Sequence, residues 1–399
     1  MKAFLARRHG SEAGIALPMT LILMMLVTAL TVAFLAFTST EPVIAGNQMA
    51  NAQARAIAES GIERALWALS KGETTPAANG AIPDPLVNPP TADAPYDGNT
   101  LFNVGVGQFK VTVTNGPAAN ERTIVALGYV PTAASPIAVK KIQTVVTHLK
   151  HLDPPCALCA GGEAPVGITT NVRIGGSASI SAANTGSNYC NGVTPQAAAY
   201  SAGAINTNGH PSLTGPSGGS GMMTNQPQSN FTDFLFSDSD MAMLKSLAKA
   251  NGTYYQGNQT FTSPPPGGII FVDTPSGNPL GPLSPSSDLI SVDIHGNWGA
   301  GWNGWMVVAG SIAISGNVTM SGLIYSQNDI DLHGAGGGSL TGAIVSTNRV
   351  DTQSTNVDTE DIGNAPINYD CNKVRDGGGT IPQGWFVKPG TFRDAPGTT

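Results

Sequence analysis

The stretch SIAISG-NVTMSG-LIYSQN-DIDLHG, residues 311–334, divides into four units of six. Ile312, Val318, Ile324 and Ile330 recur at a constant interval of six, and Ile314, Met320 and Leu332 hold the fourth place in three of the units. Gly or Asn closes each unit. Side chains alternate along a strand, so places two and four point the same way, inward. Gly or Asn in the sixth place accepts the left-handed backbone of a corner. Such units stack and bury one another's apolar faces, which predicts a β-solenoid or β-helix-like domain. NVRIGG and SASISA, residues 171–182, share the phase and extend the expectation to much of 160–350. A β-sandwich with regular turns is the alternative that the same pattern allows.

Around these units, FTDFLFSDSDMAMLKSLAKANGTYYQG (231–257) predicts one short helix from Asp238 to Ala250, stopped by Asn251-Gly252. GGIIFVDTPSG (267–277) and LISVDIHGNWGAGWNGWMVVAG (289–310) predict strands with aromatic-rich turns. Trp298, Trp302 and Trp305 have two readings. Exposed, they stack on sugar rings; buried, they close the end of the domain.

Upstream, residues 73–100 are rich in Pro, Asn, Asp and Gly and read as a loop. FNVGVGQFKVTVTN then alternates, with Val104, Val106, Phe109, Val111 and Val113 as apolar positions and a register shift, read as a bulge, near Gly107. RTIVALGYV and IAVKKIQTVVTHL complete a three-segment antiparallel meander.

Before the loop lies NQMANAQARAIAESGIERALWALSKG (47–72), an amphipathic helix. Its stripe of Ala50, Ala54, Ile57, Ala58, Gly61, Ile62, Ala65, Leu66 and Leu69 is rich in small residues, so a neighbouring element can approach closely. Arg55, Glu59 and Glu63 form the wet face. Lys71 and Gly72 supply a stop, and Glu41-Pro42 and Gly46 are expected to interrupt or bend the helix. Earlier still, Ile15–Phe37 is apolar apart from Pro18, Thr20, Thr28 and Thr31, with Leu26 near its middle. As a helix it spans about 35 Å at ~1.5 Å per residue, enough for a bilayer's hydrocarbon core. Lys2, Arg7 and Arg8 precede it and predict a cytoplasmic N-terminus. The run is longer than the apolar core of an ordinary secretory signal.

A basic leader ending in Gly14, an apolar helix and an amphipathic continuation resemble the type IV pilin architecture. AGNQMANAQARAIAESGIERALWAL resembles the N-terminal region of PilX-type minor pilins, and the tail GWFVKPGTFRDAPGTT resembles the end of large members of that group. The resemblance implies cleavage and methylation by a prepilin peptidase between Gly14 and Ile15. It implies other pilins and assembly proteins as partners. It further implies an inner-membrane anchor that later enters a filament. Ile15 stands where pilins usually begin with Phe, and Met19 where major pilins carry a Glu, which favours a tip or initiating position over the shaft. The expected class is α+β. A leader (1–14) precedes the long helix (15–72), with its membrane part at 15–37. A pilin-like head (73–150) and a Cys-containing linker (151–165) follow, and then a β-rich domain (166–399) outside the inner membrane. The function implied is priming or capping a pilus, with an adhesive display as an extension. A single-span anchored surface protein with a glycan-binding or glycan-cleaving domain is the rival.

Cys156, Cys159, Cys190 and Cys371 are an even set and in an oxidising space close two disulfides. The spacing H-x2-H-x4-C-x2-C of His148, His151, Cys156 and Cys159 also admits Zn, against histidines that simply face water. A redox reading of CALC lacks the helix that should follow it. Asp329, Asp331 and His333 alternate and are expected to face outward, as a soluble coat or as a carboxylate–imidazole group able to bind metal. SDSD (237–240) and DTEDIGN (358–364) lack EF-hand spacing. No G-x-S-x-G, Walker A or H-E-x-x-H occurs, so neither catalysis nor a cofactor is expected. Past Gly14 the net charge is −9, and 49 Gly with 29 Pro favour turn-rich β structure over a nucleic-acid binder.

Overall fold

The computed structural model describes residues 16–74, 95–118, 120–183, 195–217, 219–333, 337–351, 356–381 and 384–395; at 36, 37, 39, 40 and 71–74 it describes the backbone alone. The chain is α+β, and it divides into two compact units, 1–147 with 386–399, and 148–385.

In the first unit α1 (Ala16–Thr74) is one helix of 59 residues that contains Pro42. The expected interruption at Glu41–Gly46 is absent, and the helix passes Gly72. One proline deletes a single backbone donor, and many turns on either side hold the remaining hydrogen bonds. Four strands of a six-stranded sheet, β1 (Phe102–Val104), β2 (Gly107–Asn115), β3 (Glu121–Pro131) and β4 (Pro136–His148), run antiparallel in chain order. The expected bulge near Gly107 is a tight hairpin: Val104 pairs with Gly107, and Gly105 takes a positive φ of 52°. Val106 therefore sits exposed at the turn, whereas Phe109, Val111 and Val113 are buried. Ala54, Ala58, Gly61, Ile62 and Ala65 of α1 lie buried on β2 and β3. Residues from the C-terminal end return to this unit. Arg393–Ala395 form a strand antiparallel to β4, and Lys388 meets Glu121 at 2.6 Å. The domain expected over 166–399 therefore ends before 386.

The second unit begins with β5 (Cys156–Ala160), β6 (Val172–Ile174), β7 (Ser179–Ser181) and β8 (Ala197–Ser201). β9 (Ile205–Thr207), β10 (Ser212–Thr214) and β11 (Ser220–Met223) follow, then α2 (Asp238–Asn251). Next come β12 (Tyr254–Gln256), β13 (Gln259–Phe261), β14 (Gly268–Asp273), β15 (Ser291–Ile294) and β16 (Asn297–Val308). The series closes with β17 (Ser311–Ser315), β18 (Asn317–Ser326), β19 (Ile330–His333), β20 (Leu340–Ser346), β21 (Thr359–Asp361), β22 (Ile367–Tyr369) and α3 (Cys371–Asp376). Residues 156–160, expected in a linker, are thus a fully buried strand.

Among the described residues the strand pairs of this unit are parallel. One sheet runs β13-β15-β17-β19-β21-β6-β9; the other runs β10-β7-β22-β20-β18-β16-β14-β12. From β15 to β20 partners stand 18 or 20 residues apart, as in Ile312↔Ile330, Met306↔Ile324, Ile294↔Ile314 and Ile324↔Ile344, and elsewhere in the unit the interval runs from 17 to 36 or more. The interval of six now has a cause. Three units return the chain to the same column, so Ile312 and Ile330 pair, while Val318 and Ile324 lie on β18 on either side of Gly322, whose φ is +133°. All four side chains are buried.

The chain enters this unit in the middle of the stack. β5 lies between β20 and β8, β6 between β21 and β9, and β7 between β22 and β10. Residues 156–223 lead to one edge, the segment holding α2 leads to the opposite edge at β12, and the strands from 254 to 369 come back to abut β5–β7. α2 starts with a capping box between Ser237 and Asp240 and ends on left-handed Gly252, which explains its sequence limits.

Candidate functional site

The most distinctive feature is the uncovered half of α1. Ala16–Leu35 is long and apolar enough to cross a membrane, by length and composition, and none of it is buried. A signal sequence passes the same test. Leu17, Met19, Leu23, Leu26 and Phe34 are exposed, and Pro18 sits in the first turn. Phe37 lies on helical backbone, while Gly14 and Ile15, the expected processing site, lie outside the described residues. The hydroxyls of Thr20, Thr28, Thr31 and Thr38 donate to the carbonyls of Leu17, Met24, Val27 and Phe34 at 2.7–2.9 Å. Polar groups satisfied within the helix can enter hydrocarbon without an unpaired donor. From Ala50 onward the same helix carries the small-residue stripe packed on the sheet, and Arg55 Nε meets Glu59 at 3.0 Å on the wet face.

Among the described residues, His148, His151, Cys156 and Cys159 are not gathered into a group that could hold a metal. Cys156 and Cys159 are joined in a disulfide, which removes both thiolates, and Cys371 is also disulfide-bonded. Cys190 lies outside the described residues. His148 is 9% exposed and packs on Trp385, and His151 sets its ring edge against Trp305. The expectation that both face water fails because two tryptophans cover them. Burial, and then the neighbouring His148, lowers the His151 pKa, and its Nδ1 lies 3.1 Å from the Arg375 carbonyl oxygen. Trp298, Trp302 and Trp305 are buried, so they offer no platform to a sugar. Trp305 Nε1 donates to the Val374 carbonyl at 2.6 Å, and Trp302 Nε1 to that of Pro266 at 3.1 Å.

Asp331, His333 and Glu360 bring one potential ligand atom each within 4.8 Å. The arrangement follows from register, since Asp331 pairs with Glu360, and Glu360 with Arg173. The Arg173 guanidinium already holds Glu360, and His333 Nε2 lies 2.5 Å from Asp331. Asp329, expected on the surface, is half-buried instead; burial, and then Asp351, raises its pKa to about 7. Burial likewise raises Asp358 and Asp361 to about 7. Sequence reasoning missed Asp361. It falls in the inward column of Ile314, Leu332 and Ile174, where the pattern calls for an aliphatic side chain.

No family model matches the chain, and no curated protein does. Among solved structures it is similar to the competence-associated pilin ComZ from Thermus thermophilus, at 11% identity, over 87% of this chain and 96% of that one, with a TM-score of 0.21. A likeness this loose carries no argument about fold or function.

Proposed function

We propose that the chain is a pilin-like subunit of a type IV pilus or related filament, of the PilX-like minor class. The observation that carries this reading is the division of α1. One continuous helix is bare and apolar over its first half and packed through Ala and Gly on an antiparallel sheet over its second. A bare apolar rod suits a bilayer first and the packed core of a filament afterwards. The prepilin peptidase cuts between Gly14 and Ile15, the N-terminus faces the cytoplasm, and the remainder lies outside the inner membrane. The work is assembly, by priming or capping in company with other pilins, and it involves no catalysis and no cofactor. The second unit is read as a β-solenoid, supported by parallel partners at 18 or 20 residues, and it is the element displayed, with adhesion as its use. The same uncovered helix would also serve a single-span anchored protein that is never assembled.

Sequencing the mature N-terminus separates the two, together with crosslinking in cells. A methylated Ile15 and crosslinks to pilus subunits support the pilin reading. An intact Met1 with no such crosslinks leaves the anchor alone.

A further inference from the structure

A second feature stands apart from the anchor. Between α2, β14 and the residues that follow β16 and β18 lies a cavity of about 200 Å³. Its apolar lining includes Met241 and Phe271; its polar lining includes Lys245, Asp273, Gln327 and Arg349. The polar groups are held in place. Lys245 pairs closely with Asp273 and donates to the Gly277 carbonyl at 2.8 Å. Asp273 is further fixed by the Tyr254 hydroxyl at 2.9 Å and the Thr274 amide at 2.9 Å. Gln327 is 2% exposed, and its carboxamide offers both donors and an acceptor.

Arg349 is the incomplete member. Its Nη2 donates to Asp238 at 2.8 Å, its Nε stands 3.8 Å from Glu163, and its Nη1 is buried without an acceptor. The Asp238 side chain is 63% exposed, so it can swing into water and yield its place. A guanidinium whose Nη2 is held by an exchangeable carboxylate suits a ligand carboxylate that takes the place of Asp238. Around it, donors and acceptors fixed beside an apolar wall match ring hydroxyls and the C–H face of a pyranose.

We propose that this cavity binds an acidic sugar, with its carboxylate on Arg349, its hydroxyls on Lys245, Asp273 and Gln327, and its ring against Met241 and Phe271. This inference is independent of the pilin reading, since the site lies wholly within 148–385.

The test is calorimetric titration of the full chain in detergent with glucuronate, N-acetylneuraminate, glucose and acetate. At least one acidic sugar should bind with a Kd of about 1 mM or tighter, and glucose and acetate at least about tenfold more weakly. Arg349→Gln should weaken the acidic sugar by about tenfold or more. Ala242 lines the cavity and is exposed on α2, so Ala242→Phe should plug the site while leaving the thermal midpoint unchanged. The inference is overturned if neither acidic sugar gives a saturable signal, if acetate or glucose binds as well as they do, or if Ala242→Phe leaves binding intact in a folded chain.

Discussion

Gly128 on β3 lies directly against the backbone of Ala54 on α1: a Cβ at residue 128 would stand 2.2 Å from the Ala54 carbonyl oxygen and 2.6 Å from the Ala58 amide nitrogen. Neither atom is the end of a flexible side chain, so the helix itself would have to lift. Gly128→Ala should therefore destabilise the first unit by about 1–3 kcal/mol. Gly46 is the control, for nothing lies within 4 Å of the position its Cβ would take, and it is interior to the same helix. Gly46→Ala should stabilise by about 0.5–1 kcal/mol. Thermal denaturation of the two variants in detergent, followed by circular dichroism, should move the midpoint in opposite directions. Equal shifts would remove the close helix–sheet contact from the account.

Gly322 does the corresponding work in the second unit. It pairs with Gly304 and Gly342 on the adjacent strands, and a Cβ there would fall 1.9 Å from the Gly304 carbonyl oxygen. Its φ of +133° is strained for any side chain. Gly322→Ala should cost at least about 3 kcal/mol, combining backbone strain with the clash. Urea unfolding monitored by the buried tryptophans measures it, and a midpoint equal to that of the parent protein would exclude the bend at this residue.

How legible these features were depends on how local their cause is. The apolar half of α1 follows from composition alone. The interval of six around Ile312 is readable because the inward residues repeat within one stretch of chain. The place of Leu158 beside Ile344 is not, because residues so distant in sequence leave no local pattern when they become neighbours. The hairpin at Gly105 is hidden for a different reason, since Val104-Gly105-Val106-Gly107 alternates as a straight strand would. His148 and His151 suggested water or metal by residue type, whereas their burial is decided by Trp385 and Trp305. Asp361 was invisible because an acid in an aliphatic column contradicts the very pattern used to find the column.

That acid makes stability depend on pH. Asp361 is 1% exposed, its Oδ2 has no partner, and burial raises its pKa from 3.8 to about 7. The folded chain thus keeps a proton that the unfolded chain releases. Unfolded chains bind fewer protons between the two values, so stability falls as pH rises from about 4 to about 7 and levels off above. The amplitude from this residue is on the order of a few kcal/mol. Asp361→Asn should flatten much of that slope and leave a remainder from Asp329 and Asp358, which burial also raises to about 7. Denaturation midpoints at pH 5, 6, 7 and 8 give the slope directly. A parent protein more stable at pH 8 than at pH 5 would refute the assignment.

Leu26 tests the membrane reading of α1. It lies inside the apolar window of Ala16–Leu35, whereas Val43 lies beyond that window on the same uncovered helix. In water the two sites are alike: both side chains are exposed, and an arginine at either would be harmless or favourable. In a bilayer they differ, because arginine near the centre of the hydrocarbon costs about 3 kcal/mol relative to leucine, roughly a hundredfold in partition, and near the interface far less. Leu26→Arg should therefore deplete the carbonate-resistant membrane fraction, while Val43→Arg should leave it close to that of the parent protein. A helix that merely waits for a soluble partner would respond to neither substitution in this assay. One that binds through a continuous apolar face would lose that partner with both. Only a spanning segment distinguishes position 26 from position 43 by depth.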